Sequence, residues 1–79
     1  MYFVYIVECA DRTLYIGSTN DIEKRIHTHN TSNVGAKYTR GRRPVVLKYS
    51  ESFDSKGEAL KREHELKQMT RDQKINLFN

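Results

Sequence analysis

Apolar, aromatic and β-branched residues fill Met1 to Cys9 and again Thr13 to Ser18, with the polar break Ala10-Asp11-Arg12 between them. Two such runs across a short turn predict a β-hairpin. Alternation along the first strand puts Tyr2, Val4, Ile6 and Glu8 on one face and Phe3, Tyr5, Val7 and Cys9 on the other. A three-residue connection pairs Cys9 with Thr13. That register gathers Val4, Ile6, Leu14 and Ile16 into one aliphatic face. It sets Tyr5 and Tyr15 diagonally on the other face, with Tyr5 opposite Gly17. A slip of one residue would split both sets.

Beyond the hairpin the period changes from two to 3.6. Asn20 or Thr19 can cap a helix over Asp21 to His29, with Ile22 and Ile26 as its buried stripe. Arg25 and His29 project together at i, i+4 on the flank of that stripe, and His27 points to solvent. Val45 to Ser50 reads as a third strand ending near Phe53. Ser55-Lys56-Gly57-Glu58 fits a capping box opening a helix to about Met69, and Thr70-Arg71-Asp72-Gln73 repeats the signature for a last short helix. The order β-β-α-β-α-α predicts an α+β fold, a small three-stranded antiparallel sheet flanked by helices.

One position breaks the pattern. With Ala59 at 0°, Leu66 falls at about −20°, Leu60 at about 100° and Glu63 at about 40° by the helical period. Glu63 therefore bisects the expected apolar stripe. A core-facing carboxylate costs several kcal/mol unless its charge is compensated. Pairing with Lys67, snorkelling at a rim, and holding a metal ion all satisfy that requirement.

Composition narrows the class. At 79 residues and 9.3 kDa the chain has room for one domain, expected over residues 1–79. A single cysteine, Cys9, excludes an internal disulfide framework. No apolar run approaches the ~18 residues of a membrane span and no signal peptide opens the chain, so a cytoplasmic protein without membrane contact is expected. Glycosidase carboxylate pairs, GxSxG and phosphate-binding glycine motifs are absent, and three scattered histidines make no zinc site.

The net charge of +4 is localised. Between Asn30 and Pro44 stand Lys37, Arg40, Arg42 and Arg43 with no acidic residue, while the remaining ten cations are balanced by all ten carboxylates. The segment also holds two glycines, the proline and Tyr38. A basic, aromatic-bearing loop of this kind fits a phosphate backbone, so Lys37, Tyr38, Arg40, Arg42 and Arg43 are the expected nucleic-acid contacts.

Taken in order, these residues resemble the GIY-YIG nuclease superfamily. Its first motif stands here as Phe3-Val4-Tyr5 and its second, Tyr15-Ile16-Gly17, is intact. Ile22 to His29 matches the helix carrying an Arg and, four residues on, a His. Ala59-Leu60-Lys61-Arg62-Glu63 matches the helix carrying the metal-binding Glu. The likeness spans essentially the whole chain, most like the small stand-alone bacterial members related to the excision-repair incision subunit and Slx-type endonuclease domains. Phe3 replaces the first glycine, and the late Asn of many larger members has no secure match.

The resemblance implies a metal-dependent endonuclease that hydrolyses DNA phosphodiester bonds in repair or recombination. RNA is left open as a substrate. The implied catalytic residues are Tyr5, Tyr15, Arg25, His29 and Glu63. Glu63 would ligate one Mg²⁺ or Mn²⁺; Tyr5 would be the leading general base, with Tyr15 beside it. Arg25 would clamp the phosphate, and His29 would hydrogen-bond a tyrosine or relay a proton. A phenol of pKa ~10 needs a nearby cation to serve as a base. The expected oligomeric state is a monomer or weak homodimer. The alternative is a non-catalytic nucleic-acid-binding module on the same fold. A third reading is a small interaction domain whose tyrosines merely pack.

Overall fold

The computed structural model describes residues 1–31 and 41–79. Strand β1 (Tyr2–Glu8) is central in a sheet ordered β2-β1-β3, with β2 (Leu14–Thr19) and β3 (Val46–Phe53) both antiparallel to it. Helix α1 (Ile22–Thr31) follows the hairpin, and α2 (Lys56–Lys67) and α3 (Arg71–Asn76) follow β3. The fold is α+β, in the expected element order.

The hairpin has the expected register. Cys9 N–H donates to the Thr13 carbonyl at 2.8 Å, and Tyr5 lies opposite Gly17. Arg12 closes the turn, its N–H on the Cys9 carbonyl at 2.9 Å and its φ at 72°, the left-handed conformation that ends a three-residue hairpin loop. Asp11 steadies that turn by accepting from the Thr13 hydroxyl at 2.6 Å and the Thr13 amide at 3.1 Å. The third strand runs on to Phe53 and carries an irregularity between Ile6 and Val7, where the pairing skips Lys48.

The two faces of the sheet are covered differently. Val4, Ile6 and Ile16 meet Ala59 and Leu66 of α2 in a buried aliphatic core, with Tyr49, Phe53, Met69, Leu77 and Phe78 around it. On the opposite face Tyr5, Val7, Cys9 and Val45 are buried, with Tyr15 and Ile26 packed against them. Both downstream caps form: Ser55 accepts from the Glu58 amide, and Thr70 and Gln73 make a reciprocal capping box.

Three local expectations are corrected. Asp21, rather than Asn20 or Thr19, caps α1: its carboxylate accepts from the Lys24 amide at 3.1 Å. Thr19 Oγ1 instead accepts from the Asp21 amide, fixing the approach to the helix. Within α1 the fully buried side chain is His29, which meets the polar end of Tyr5, while the isoleucines are half-buried and Ile26 packs against the cluster of Tyr5, Val7, Cys9 and Val45. Leu60 is 46% exposed. With Arg62 drawn onto Glu51 at 2.9 Å, α2 presents Ala59, Arg62 and Leu66 to the sheet, leaving Leu60 to solvent and Glu63 at the margin.

Candidate active site on the tyrosine face

Gly17 sets the position of Tyr5. A Cβ built on Gly17 would come within 2.7 Å of Tyr5 Cζ and closer still to the hydroxyl. The missing side chain therefore lets the ring lie across β2, an edge strand, and carries the hydroxyl toward the sheet margin. Leu14, Ile16 and Ser18 point to the other face, so they do not obstruct it.

The hydroxyl is held by two residues of one helix. Arg25 Nε donates to Tyr5 Oη at 3.3 Å, and Tyr5 Oη lies 2.9 Å from His29 Nε2. Spacing at i, i+4 brings the guanidinium and the imidazole to the same phenol. Arginine can only donate, so the phenol oxygen accepts from it, and the direction of its second hydrogen bond, with His29 Nε2, is set by the imidazole tautomer. The His29 ring also stands edge-on to Tyr5 and Tyr15, at centroid distances of 5.9 and 5.3 Å. Arg25 reaches Tyr15 as well, and its contacts with the two tyrosines outweigh the cost of its burial and raise its pKa.

Electrostatics define the resting state. Burial pushes the Tyr5 phenol up; the hydrogen bond and charge of Arg25 oppose this, and Tyr15 and Glu63 add to it. Burial, then the charges of Arg25 and Arg43, lower His29 to about 4, so its imidazole is neutral at pH 7. A neutral imidazole can accept the phenol proton. A nearby cation is thus present at Tyr5, as a tyrosine base requires, yet desolvation wins in the free protein.

Glu63 lies at the margin of α2, its side chain 17% exposed, with Oε2 2.8 Å from Lys67 Nζ. Its negative charge reaches Tyr5. Lys67, raised chiefly by its hydrogen bond to Glu63, also senses Tyr15. Pairing with Lys67 is therefore one compensation realised. The structure brings Tyr5, Tyr15, Arg25 and His29 into direct contact and couples Glu63 to them through charge. Lys67, expected from its i, i+4 spacing as a partner of Glu63, joins this group through that pair.

The basic segment is distributed otherwise. Lys37, Tyr38 and Arg40 lie outside the described residues. Arg42 Nε is 2.9 Å from Asp11 Oδ2, and the Arg42 carbonyl accepts from the Ala10 amide. Arg43 Nε donates to the His29 carbonyl at 2.6 Å. A carboxylate remote in sequence therefore faces the acid-free segment. Asn30, also missed by sequence reasoning, clasps both backbone groups of Val45 at 2.7 and 3.2 Å and ties α1 to the entry of β3.

The donor set suits a hard divalent ion in one respect. Glu63 offers a carboxylate that already holds a cation, the Lys67 ammonium, and Mg²⁺ binds through one or two carboxylates plus waters and phosphate oxygens. Among the described residues no group of three or more His, Cys, Asp or Glu side chains is arranged around a common point. A wholly protein-made metal cage is thus not what these residues form.

Comparison with known proteins gives a consistent family. Residues 1–76 match the GIY-YIG catalytic domain. A UPF0213 protein of Halobacterium salinarum is 54% identical over 99% of this chain and 100% of its own length, and one of Staphylococcus haemolyticus is 54% identical over 98% and 93%. The solution NMR structure of the UPF0213 protein from Bacillus halodurans is 46% identical, with a TM-score of 0.60 over 98% of this chain and 82% of that one. An NMR structure of an E. faecalis protein is 35% identical, with a TM-score of 0.62 over 96% and 81%. Among the described residues no helix is long and apolar enough to cross a membrane.

Proposed function

The chain belongs to the GIY-YIG catalytic-domain family, and on that premise we propose that it is a divalent-metal-dependent endonuclease that hydrolyses DNA phosphodiester bonds, with Tyr5, Tyr15, Arg25, His29 and Glu63 as its working residues. The observation that carries this reading is the continuous chain Arg25–Tyr5–His29 beneath Gly17. A merely packed tyrosine needs one partner for its hydroxyl. This one has a permanent cation on its oxygen and a second hydrogen bond to an imidazole that is neutral at pH 7.

In the proposed reaction Tyr5 Oη takes a proton from the attacking water while its own proton passes to His29 Nε2. Arg25 stays on the phenol oxygen and stabilises charge developing there and on the phosphate. The low pKa of His29 opposes the transfer in the free protein. A phosphate anion beside Arg25 would offset part of the cationic field that depresses His29, so substrate itself favours the relay. Tyr15, edge-on to His29, keeps the imidazole oriented. Glu63 would hold Mg²⁺ or Mn²⁺ after releasing Lys67, and the ion would supply Lewis-acid stabilisation of the phosphoryl oxygens.

The test is cleavage of end-labelled single-stranded, duplex and branched DNA with Mg²⁺ or Mn²⁺, comparing the wild type with Glu63→Gln. Cleavage that EDTA abolishes and Glu63→Gln loses by at least about 100-fold is the expected result. Equal cleavage by the variant would overturn the assignment of Glu63. Binding without cleavage of any substrate would favour a non-catalytic nucleic-acid-binding module instead.

A further inference from the structure

Of the cations assigned to nucleic acid from sequence, the two among the described residues are engaged within the chain: Arg42 faces Asp11, and Arg43 is fastened to the His29 carbonyl. Other polar groups, on the far side of Arg25, are available. Two open depressions meet at Thr19 and Asn20, where β2 turns into α1. One, of about 210 Å³, is lined by Thr19, Asn20, Asp21, Lys24, Arg25 and Thr28. The other, of about 310 Å³, is lined by Tyr2, Ser18, Thr19, Asn20 and Lys56.

Their chemistry is uneven in an informative way. Thr19, Asp21 and Thr28 spend their side chains on local backbone groups. Among the described residues, Ser18, Asn20, Lys24 and Lys56 make no side-chain hydrogen bond or ion pair. Three cations, Lys24, Arg25 and Lys56, face one carboxylate, which is turned onto the Lys24 amide. Depressions this open, at or below the lower end of small-molecule pocket volumes, do not enclose a ligand. They suit an anionic backbone lying across them.

We propose that this surface is a second phosphate-binding subsite, in which Lys24 and Lys56, with Asn20 and Ser18 between them, grip DNA backbone phosphates beside the one held at Arg25. The subsite rests on the nuclease reading, because Arg25 belongs both to the tyrosine cluster and to the first depression. It sends the bound strand over the β2–α1 junction, away from Arg42 and Arg43. Lysine on a flexible stem acts there as a point charge, giving grip without sequence preference.

The experiment is the salt dependence of binding to a fluorescein-labelled DNA duplex without divalent metal, for the wild type, Lys24→Gln/Lys56→Gln and Lys61→Gln/Arg71→Gln. The two double variants lose the same net charge, and all four side chains are exposed. Each lost phosphate contact lowers the slope of log K against log salt by about 0.9, so the first variant is expected to lose about 1.8 and the second to match the wild type. Equal slopes for the wild type and Lys24→Gln/Lys56→Gln would overturn the subsite. Equal losses in both variants would do the same, by showing only a diffuse field. Absence of wild-type binding at every salt concentration would instead bring down the nuclease reading on which the subsite stands.

Discussion

The two faces of the sheet use opposite physics. On one, Val4, Ile6 and Ile16 meet Ala59 and Leu66, and stability comes from apolar area without directional demands. On the other, a phenol and an imidazole are both fully buried, and an arginine donates to the phenol. Every buried side-chain nitrogen and oxygen among the described residues has a hydrogen-bond partner. The aliphatic face tolerates substitutions that conserve volume. The tyrosine face tolerates little, since removing any one partner strands another in low dielectric. A small domain thus separates the surface that holds it together from the surface on which chemistry is proposed.

Three changes bear on that division. The largest effect is expected from Tyr5→Phe, which keeps the ring over Gly17 and removes the hydroxyl. Cleavage should fall by roughly 10²–10⁴-fold, the usual worth of a positioned acid or base. Leu66→Met on the opposite face should leave the single-turnover rate unchanged. Matching rate losses in the two variants would erase the distinction between the faces.

Leu66→Ala comes next. Its cavity lies in the aliphatic core, at a side chain with no exposure, and should cost roughly 2–5 kcal/mol in urea unfolding. A chain of this length has only about 4–12 kcal/mol in all, so the variant should sit near its folding threshold. A loss below 1 kcal/mol would mean that the core collapses around the gap.

The third effect is the pH dependence of stability. His29 has a folded pKa of about 4 against an ordinary 6.5, so the unfolded chain takes up the proton first. Its contribution is complete above pH 6.5 and is lost as the pH falls toward 4, by about 3 kcal/mol at most. His29→Gln should flatten the stability curve across that window. Parallel curves for the two proteins would show that the folded state accommodates the imidazolium, and the tyrosine face would be wetter than its geometry indicates.

Local rules reach a long way into this molecule. Three turn residues and strict alternation fix the hairpin register, so the opposition of Tyr5 and Gly17 is legible in the sequence. Helical spacing places Arg25 and His29 side by side, and the cap signatures at Ser55 and Thr70 mark two helix starts. Resemblance adds the candidate roles. Helical periodicity alone places Leu60 inside and His29 on a flank, and both are reversed by contacts between elements. Arg62 turns α2 toward Glu51 of β3, and the polar end of Tyr5 receives His29.

Sequence by itself determined what is local here: the strand pairing across a short turn, the helix ends, and the glycine that makes room for a tyrosine. Tertiary structure alone decided which charges are used and which are available. Asp11 stands thirty-one positions before Arg42 and occupies it; Arg43 is anchored on α1; Lys24 and Lys56 come from separate elements to flank Thr19 and Asn20. The reason is range. Backbone geometry and capping act over a few residues, whereas Coulomb interactions and burial depend on spatial separation and do not follow the order of the chain.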